Sequence, residues 1–92
     1  METNEISVSV IVPVFQAANH IQSCILSLQD QTLKNIEMIF VDDYTPDHSC
    51  TIIQEAAKKD NRIKLLHNIN HRGAGPCRND GIIKANGQYV SF

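Results

Sequence analysis

Ninety-two residues with a net charge of -2, 42% of them apolar and 20% charged, describe one globular domain at most, near the small end of the usual range. The weakly acidic balance leaves no basic footprint for nucleic acid, and no apolar run reaches membrane-spanning length. Three widely spaced cysteines, Cys24, Cys50 and Cys77, fit neither a disulfide framework nor a zinc motif. They suit a reducing, cytoplasmic compartment, and the polar opening Met1-Glu2-Thr3-Asn4-Glu5 is not the pattern of a secretory leader.

Residues 6–14 (Ile-Ser-Val-Ser-Val-Ile-Val-Pro-Val) read as a buried strand, with Pro13 expected to end its pairing. Asn19, with Gln22 three residues on, has a capping-box pattern. Ile21, Cys24, Ile25 and Leu28 then give one apolar helix face that should fade near Gln31 and Thr32. Residues 36–43 form an apolar run that stops at two adjacent carboxylates, Asp42 and Asp43. A strand buried on both faces is typical of a parallel sheet covered by helices. A second helix is expected over residues 46–59, capped by Thr45 with Pro46 in its first position. Residues 62–67 suit a shorter edge strand, and the glycine-bearing loop 68–76 opens a third helix over 74–85. Its inward stripe is expected to be Ala74, Cys77, Gly81, Ile82 and Ala85. Asn86-Gly87 is a stop signal, and residues 88–92 begin a fourth strand.

This βαβαβαβ alternation predicts a Rossmann-like three-layer α/β/α parallel sheet with right-handed crossovers. The expected strand order is 3-2-1-4. Chain reversal beside the first strand places ligands outside the carboxyl ends of the strands. Three such ends bring Pro13-Val14-Phe15, Asp42-Asp43 and the segment from Gly73 to Asn79, which includes Arg78. An aromatic ring, a carboxylate and an arginine together suit a nucleotide. The ring covers a base face, the carboxylate accepts a base N–H, and Arg78 with the nearby helix N-terminus meets phosphate. Each residue also has a plainer reading: a turn for the aspartates and glycines, core packing for Phe15, and an ion pair with Asp80 for Arg78. Cys77 near a helix start could be acidified, though its small-residue face favours packing. His20, His48, His67 and His71 stand at no metal-ligand spacing, and no metal site is expected within the 92 residues.

Residues 8–15, 27–32, 36–43, 73–81 with Arg78-Asn79, and 87–92 follow one another in order. On these five segments, over nearly its whole length, the chain resembles family 2 glycosyltransferases of the GT-A fold. The resemblance implies that residues 1–92 are the N-terminal, nucleotide-sugar-binding part of such a domain, ending just before an Asp-x-Asp motif. It implies that Pro13, Val14 and Phe15 line the base and ribose pocket, that Asp43 hydrogen-bonds the base, commonly uracil, and that Arg78 lies by the sugar or phosphates. The longer parent would be a hexosyltransferase using a UDP-sugar, a saccharide or lipid-linked acceptor and Mn or Mg. It would work in polysaccharide synthesis, in the cytoplasm or at the inner membrane face. The piece alone would be inactive and would self-associate through its last strand. This chain departs from the family at Phe15, Gln16, Tyr44-Thr45 and Pro76-Cys77, where Tyr, Asn, Gly-Ser and two small residues are usual. The rival reading is a complete flavodoxin-like or receiver-like binding domain. Against it, the third strand ends Leu66-His67-Asn68 without the acidic residue a phospho-receiver needs.

Overall fold

The computed structural model describes residues 8–31, 35–68, 70, 72–87 and 89–91, and the side chains of all of these except 74 and 89–91. Strands β1 (Val8–Val14), β2 (Ile36–Asp42), β3 (Ile63–His67) and β4 (Tyr89–Ser91) alternate with helices α1 (Ile21–Gln29), α2 (Ser49–Lys59) and α3 (Ala74–Lys84). All pairings are parallel and the sheet order is β3-β2-β1-β4, as the alternation predicted. The expected positions Ile6, Thr32, His71, Gln88 and Phe92 lie outside the described residues.

Every residue of β2 is buried, which explains its unbroken apolar run. The two-residue period divides the central strands between two cores. Val14, Met38, Phe40 and Ile36 meet Ile21 and Ile25 of α1 and Ile53 of α2. Ile11, Ile39 and Val41 meet Cys77 of α3 on the opposite face. A Cβ at Gly81 would stand 2.4 Å from Ile11 Cγ2, so only a glycine lets α3 lie this close to β1.

The sequence reading needs correction in five places. Pro13 does not end the pairing: it sits opposite Val41, and Val14 continues opposite Asp42. Val8 N–H donates to Asn35 and Val14 C=O accepts from Asp43, so the even-numbered residues face β2. Pro13 therefore points its missing N–H away from that ladder. Helix α2 begins at Ser49 rather than 46, and α1 at Ile21 without a side-chain cap from Asn19. Ala17 C=O instead accepts the His20 and Ile21 N–H groups, both at 2.8 Å. Ile82 is exposed, because 100° per residue turns it off the face shared by Cys77 and Gly81. Arg78 is the fifth residue of α3 and so opens its second turn, not its first.

Glu37 lies buried inside the central strand and is held by a ring of donors. Its carboxylate accepts Ser9 Oγ at 2.7 Å, Lys64 Nζ at 2.6 Å and Asn86 N at 2.5 Å. Gly87 N–H in turn donates to Ser9 Oγ at 2.8 Å. Burial pushes the Glu37 carboxyl up, but the donors from Lys64, Asn86 and Ser9 outweigh it and bring it down to about 2. This cluster joins β1, β2, β3 and the turn into β4 at the end of the sheet opposite Asp42 and Asp43.

Candidate functional site

The carboxyl ends of β1 and β2 are locked side by side. Val14 is in register with Asp42, and Asp43 N–H donates to Val14 C=O at 2.9 Å. The same period that divides the core sends the two aspartates to opposite faces. Asp42 turns toward α2 and Asp43 toward α3.

Asp43 is 2% exposed and clasps the loop into α3. Its Oδ1 accepts Asn68 Nδ2 at 3.0 Å and Arg72 N–H at 2.8 Å, and Oδ2 accepts Gly73 N–H at 2.8 Å. Burial alone would raise this carboxyl, yet the donors from Arg72, Asn68 and Gly73 hold it well below the usual carboxylate range. Gly73 takes φ +92 as the residue before the helix, a conformation that L side chains rarely adopt. Burial and then the Asp43 carboxylate push the Cys77 thiol up to about 11, so this cysteine packs rather than attacks.

Asp42 orders the following turn. Its Oδ1 accepts Thr45 N–H at 2.9 Å, and Oδ2 lies 3.1 Å from His67 Nδ1. Thr45 is no helix cap because its hydroxyl is used elsewhere: it accepts Gln16 N–H at 2.8 Å and donates to Asp47 Oδ1 at 2.9 Å. Asp47 also accepts Ser49 N–H at 3.0 Å and, through Oδ2, Ala18 N–H at 3.1 Å. The Ser49 hydroxyl leads the groups that hold Asp47 well below the usual carboxylate range. Thus the loop after β1 is bolted to the loop after β2, with Asp47 as the bolt. Its partner on the first loop, Ala18, lies 29 residues away, and local sequence spacing gave no sign of it. Both loops contain a left-handed residue, Gln16 at φ 51 and Tyr44 at φ 60. These are positions where the family resemblance pointed to Asn and Gly, the residues that tolerate this conformation best.

Of the expected nucleotide contacts, Phe15 is 39% exposed on the rim rather than in the core, Pro13 is half-buried, and Val14 is fully buried in the core. Asp43 and Gly73 meet where β2 ends and α3 starts, whereas Asp42 lies on the other face of the sheet with His67. Arg78 and Asn79 are exposed on α3. The ion pair of Asp80 is with Arg72 Nη1, at 2.9 Å, not with Arg78. Cys50 half-buries beside Asp42, and burial followed by that carboxylate pushes its thiol up to about 12. Among the described residues no helix is long and apolar enough to cross a membrane.

The architecture has close counterparts among solved structures. The fold matches the crystal structure of Staphylococcus aureus TarS 1–349 in complex with UDP-GlcNAc at a TM-score of 0.84 and 28% identity, over 91% of this chain and 25% of that one. A mannosyltransferase, PcManGT from Pyrobaculum calidifontis, in complex with GDP-Man and Mn2+, shares the fold at a TM-score of 0.79 and 23% identity, over 94% of this chain and 26% of its own. Among sequences, the uncharacterized glycosyltransferase EpsJ of Bacillus subtilis is 46% identical over 92% of this chain and 24% of its own. The GalNAc(5)-diNAcBac-PP-undecaprenol beta-1,3-glucosyltransferase of Campylobacter jejuni is 36% identical over 91% of this chain and 28% of its own. The chain therefore spans about a quarter of the length of these relatives. The sequence model of glycosyl transferase family 2 matches residues 9–92. With that match and the strand order on which its rim depends, the chain belongs to glycosyl transferase family 2.

Proposed function

We propose that residues 1–92 are the nucleotide-binding part of a glycosyltransferase domain, and that the whole protein moves a hexose from a UDP-sugar to an acceptor hydroxyl in cell-surface polysaccharide synthesis. The observation that carries this reading is the convergence of an exposed aromatic, Phe15, the hydrogen-bonded carboxylate of Asp43 and the start of α3 on one sheet rim. Such a rim is where doubly wound sheets take nucleotides. TarS, the structural relative named above, was crystallised with UDP-GlcNAc, which supports a uridine donor.

Phe15 stacks on the base. Asp43, kept charged by its donors, offers the base N–H an acceptor while it holds the 68–73 loop in place. Arg78 and Asn79 lie toward the diphosphate. Pro13 and Val14 set the floor by their backbone, since the Val14 side chain belongs to the core. The divalent ion of the family, Mn or Mg, would neutralise the departing diphosphate when bound. These residues do not fit it: the sequence has no Asp-x-Asp triplet, and Asp42 and Asp43 face opposite sides of the sheet. The ion, the catalytic base and the saccharide or lipid-linked acceptor therefore belong to other parts of the protein, which acts in the cytoplasm or at the inner membrane face. Self-association through the outer edge of β4, which has no partner strand among the described residues, belongs to the same proposal.

Calorimetric titration of UDP with manganese into the whole protein tests the reading. Asp43→Ala should weaken binding about ten- to hundredfold, the scale of one hydrogen bond to a charged group. Asp42→Asn should weaken it less. UDP binding unchanged in Asp43→Ala would remove the base contact from Asp43.

A further inference from the structure

Asp42, Cys50 and His67 come from the end of β2, the first turn of α2 and the end of β3, and meet on the face of the sheet away from Asp43. One ligand atom from each, a carboxylate oxygen, Sγ and an imidazole nitrogen, lies within 4.8 Å of the other two. We propose that this cluster is a binding site for a thiophilic divalent cation of the zinc type, separate from any ion that serves the sugar diphosphate.

Ligand chemistry selects the ion. A thiolate and an imidazole beside a single carboxylate favour zinc or cobalt over magnesium, calcium or manganese, which take oxygen ligands. A nucleophilic triad does not explain the arrangement, because the thiol's hydrogen-bond partner is the Asp42 carboxylate and not the imidazole. The carboxylate is already aimed. Thr45 N–H holds Asp42 Oδ1 at 2.9 Å, which leaves Oδ2 on the side of His67, 3.1 Å from Nδ1. Outer hydrogen bonds of this kind orient metal ligands. Asn68 N–H donates to Asp42 C=O at 2.8 Å and fixes the end of β3 against β2.

Tetrahedral ligands on zinc, at about 2.0–2.3 Å from the ion, stand roughly 3.3–3.8 Å from one another. The Asp42–His67 pair is already that close, and side-chain rotation on the order of 1 Å closes the third arm. His67 is half-exposed and gives the ion a path from solvent. On binding, the Cys50 S–H proton leaves to water as the metal–sulfur bond forms. Thiolate and carboxylate then balance the double charge, and water completes the coordination. The sequence concealed the site because its ligands lie at positions 42, 50 and 67, at none of the short spacings of metal motifs.

Cobalt reports the site directly. Titration of Co2+ into the reduced, chelator-stripped protein should give a thiolate-to-cobalt charge-transfer band that saturates at one equivalent. Zinc should abolish the band, and a tenfold excess of manganese should not. Cys50→Ser should eliminate the band and His67→Gln should weaken cobalt binding at least tenfold. Cys24→Ser and Cys77→Ser should each retain it, with circular dichroism confirming that all variants are folded. No band at one equivalent, or a band that survives in Cys50→Ser, overturns the proposal. So does a band that is lost in Cys24→Ser or Cys77→Ser.

Discussion

Asp43→Asn is the sharpest test of how the rim is held. The substitution keeps the shape and replaces one carboxylate oxygen with an amide donor. The amide oxygen will take the Oδ1 position, where it still accepts Asn68 Nδ2 and Arg72 N–H. That puts the amide NH2 against Gly73 N–H at 2.8 Å, two donors face to face. Stranding a buried donor costs about 1–3 kcal/mol, and each surviving bond loses about 1 kcal/mol of charge assistance. Arg72 is exposed, so water recovers part of this, and a net loss of about 2–3 kcal/mol is expected. For a domain of this size that corresponds to a melting temperature roughly 10–20 °C lower. The folded carboxyl titrates below its ordinary 3.8, so its stabilisation is complete above that value and drains away only as pH falls through the folded pKa. Thermal unfolding at neutral pH, with hydrogen exchange at Arg72 and Gly73, reads both effects. If Asp43→Asn melts with the wild type and both amides keep their protection, the clasp is not what holds the loop.

Glu37→Gln should destabilise the protein at pH 7 by about 1–2 kcal/mol, the value of a charged hydrogen bond discounted for the half-exposed Lys64. Glu37 is depressed from 4.5 to about 2, so its contribution is present above 4.5 and lost as pH falls toward 2. Urea unfolding should therefore show the gap between variant and wild type narrowing across that window, and a gap independent of pH would contradict the assignment. Tyr44→Gly should raise the melting temperature by a few degrees. A left-handed non-glycine residue costs about 1–2 kcal/mol, of which the extra freedom of glycine in the unfolded chain returns about half. Tyr44 is 61% exposed and gives up little packing, so a lower melting temperature would show that the ring carries a contact of greater worth.

The order of elements, the strand order and the family were legible because each rests on local pattern: buried runs, helical periodicity and glycine-bearing loops. The helix starts were not. Thr45 and Asn19 have the composition of caps, but the Thr45 hydroxyl is drawn to Gln16 N–H, 29 residues away. Ile82 was misplaced for a different reason. Small and large apolar residues in one helix form a stripe on paper, whereas close packing at Gly81 fixes which of them turn inward. Glu37 passed unnoticed inside an apolar run because its partners come from β1, β3 and the turn before β4. The opposite facing of Asp42 and Asp43 follows from strand period alone. What each meets could be known only once β3 and α3 were in place.

Pairing of β1 with β4 joins Val8 to Tyr89, nearly the full length of the chain. During synthesis β1 can dock on β2 as soon as that strand emerges, but its other edge has no partner until almost the last residue described. At about 5–20 residues per second, several seconds separate the two events on the ribosome. Closing so long a loop also adds an entropic cost that grows with the logarithm of its length. The edge carrying Val8, Ser9 and Val10 is thus the stretch most open to chaperone capture or mispairing with a neighbouring nascent chain. The Ser9 hydroxyl, already held by Glu37, gives that waiting edge a fixed geometry on which Gly87 and then β4 can settle.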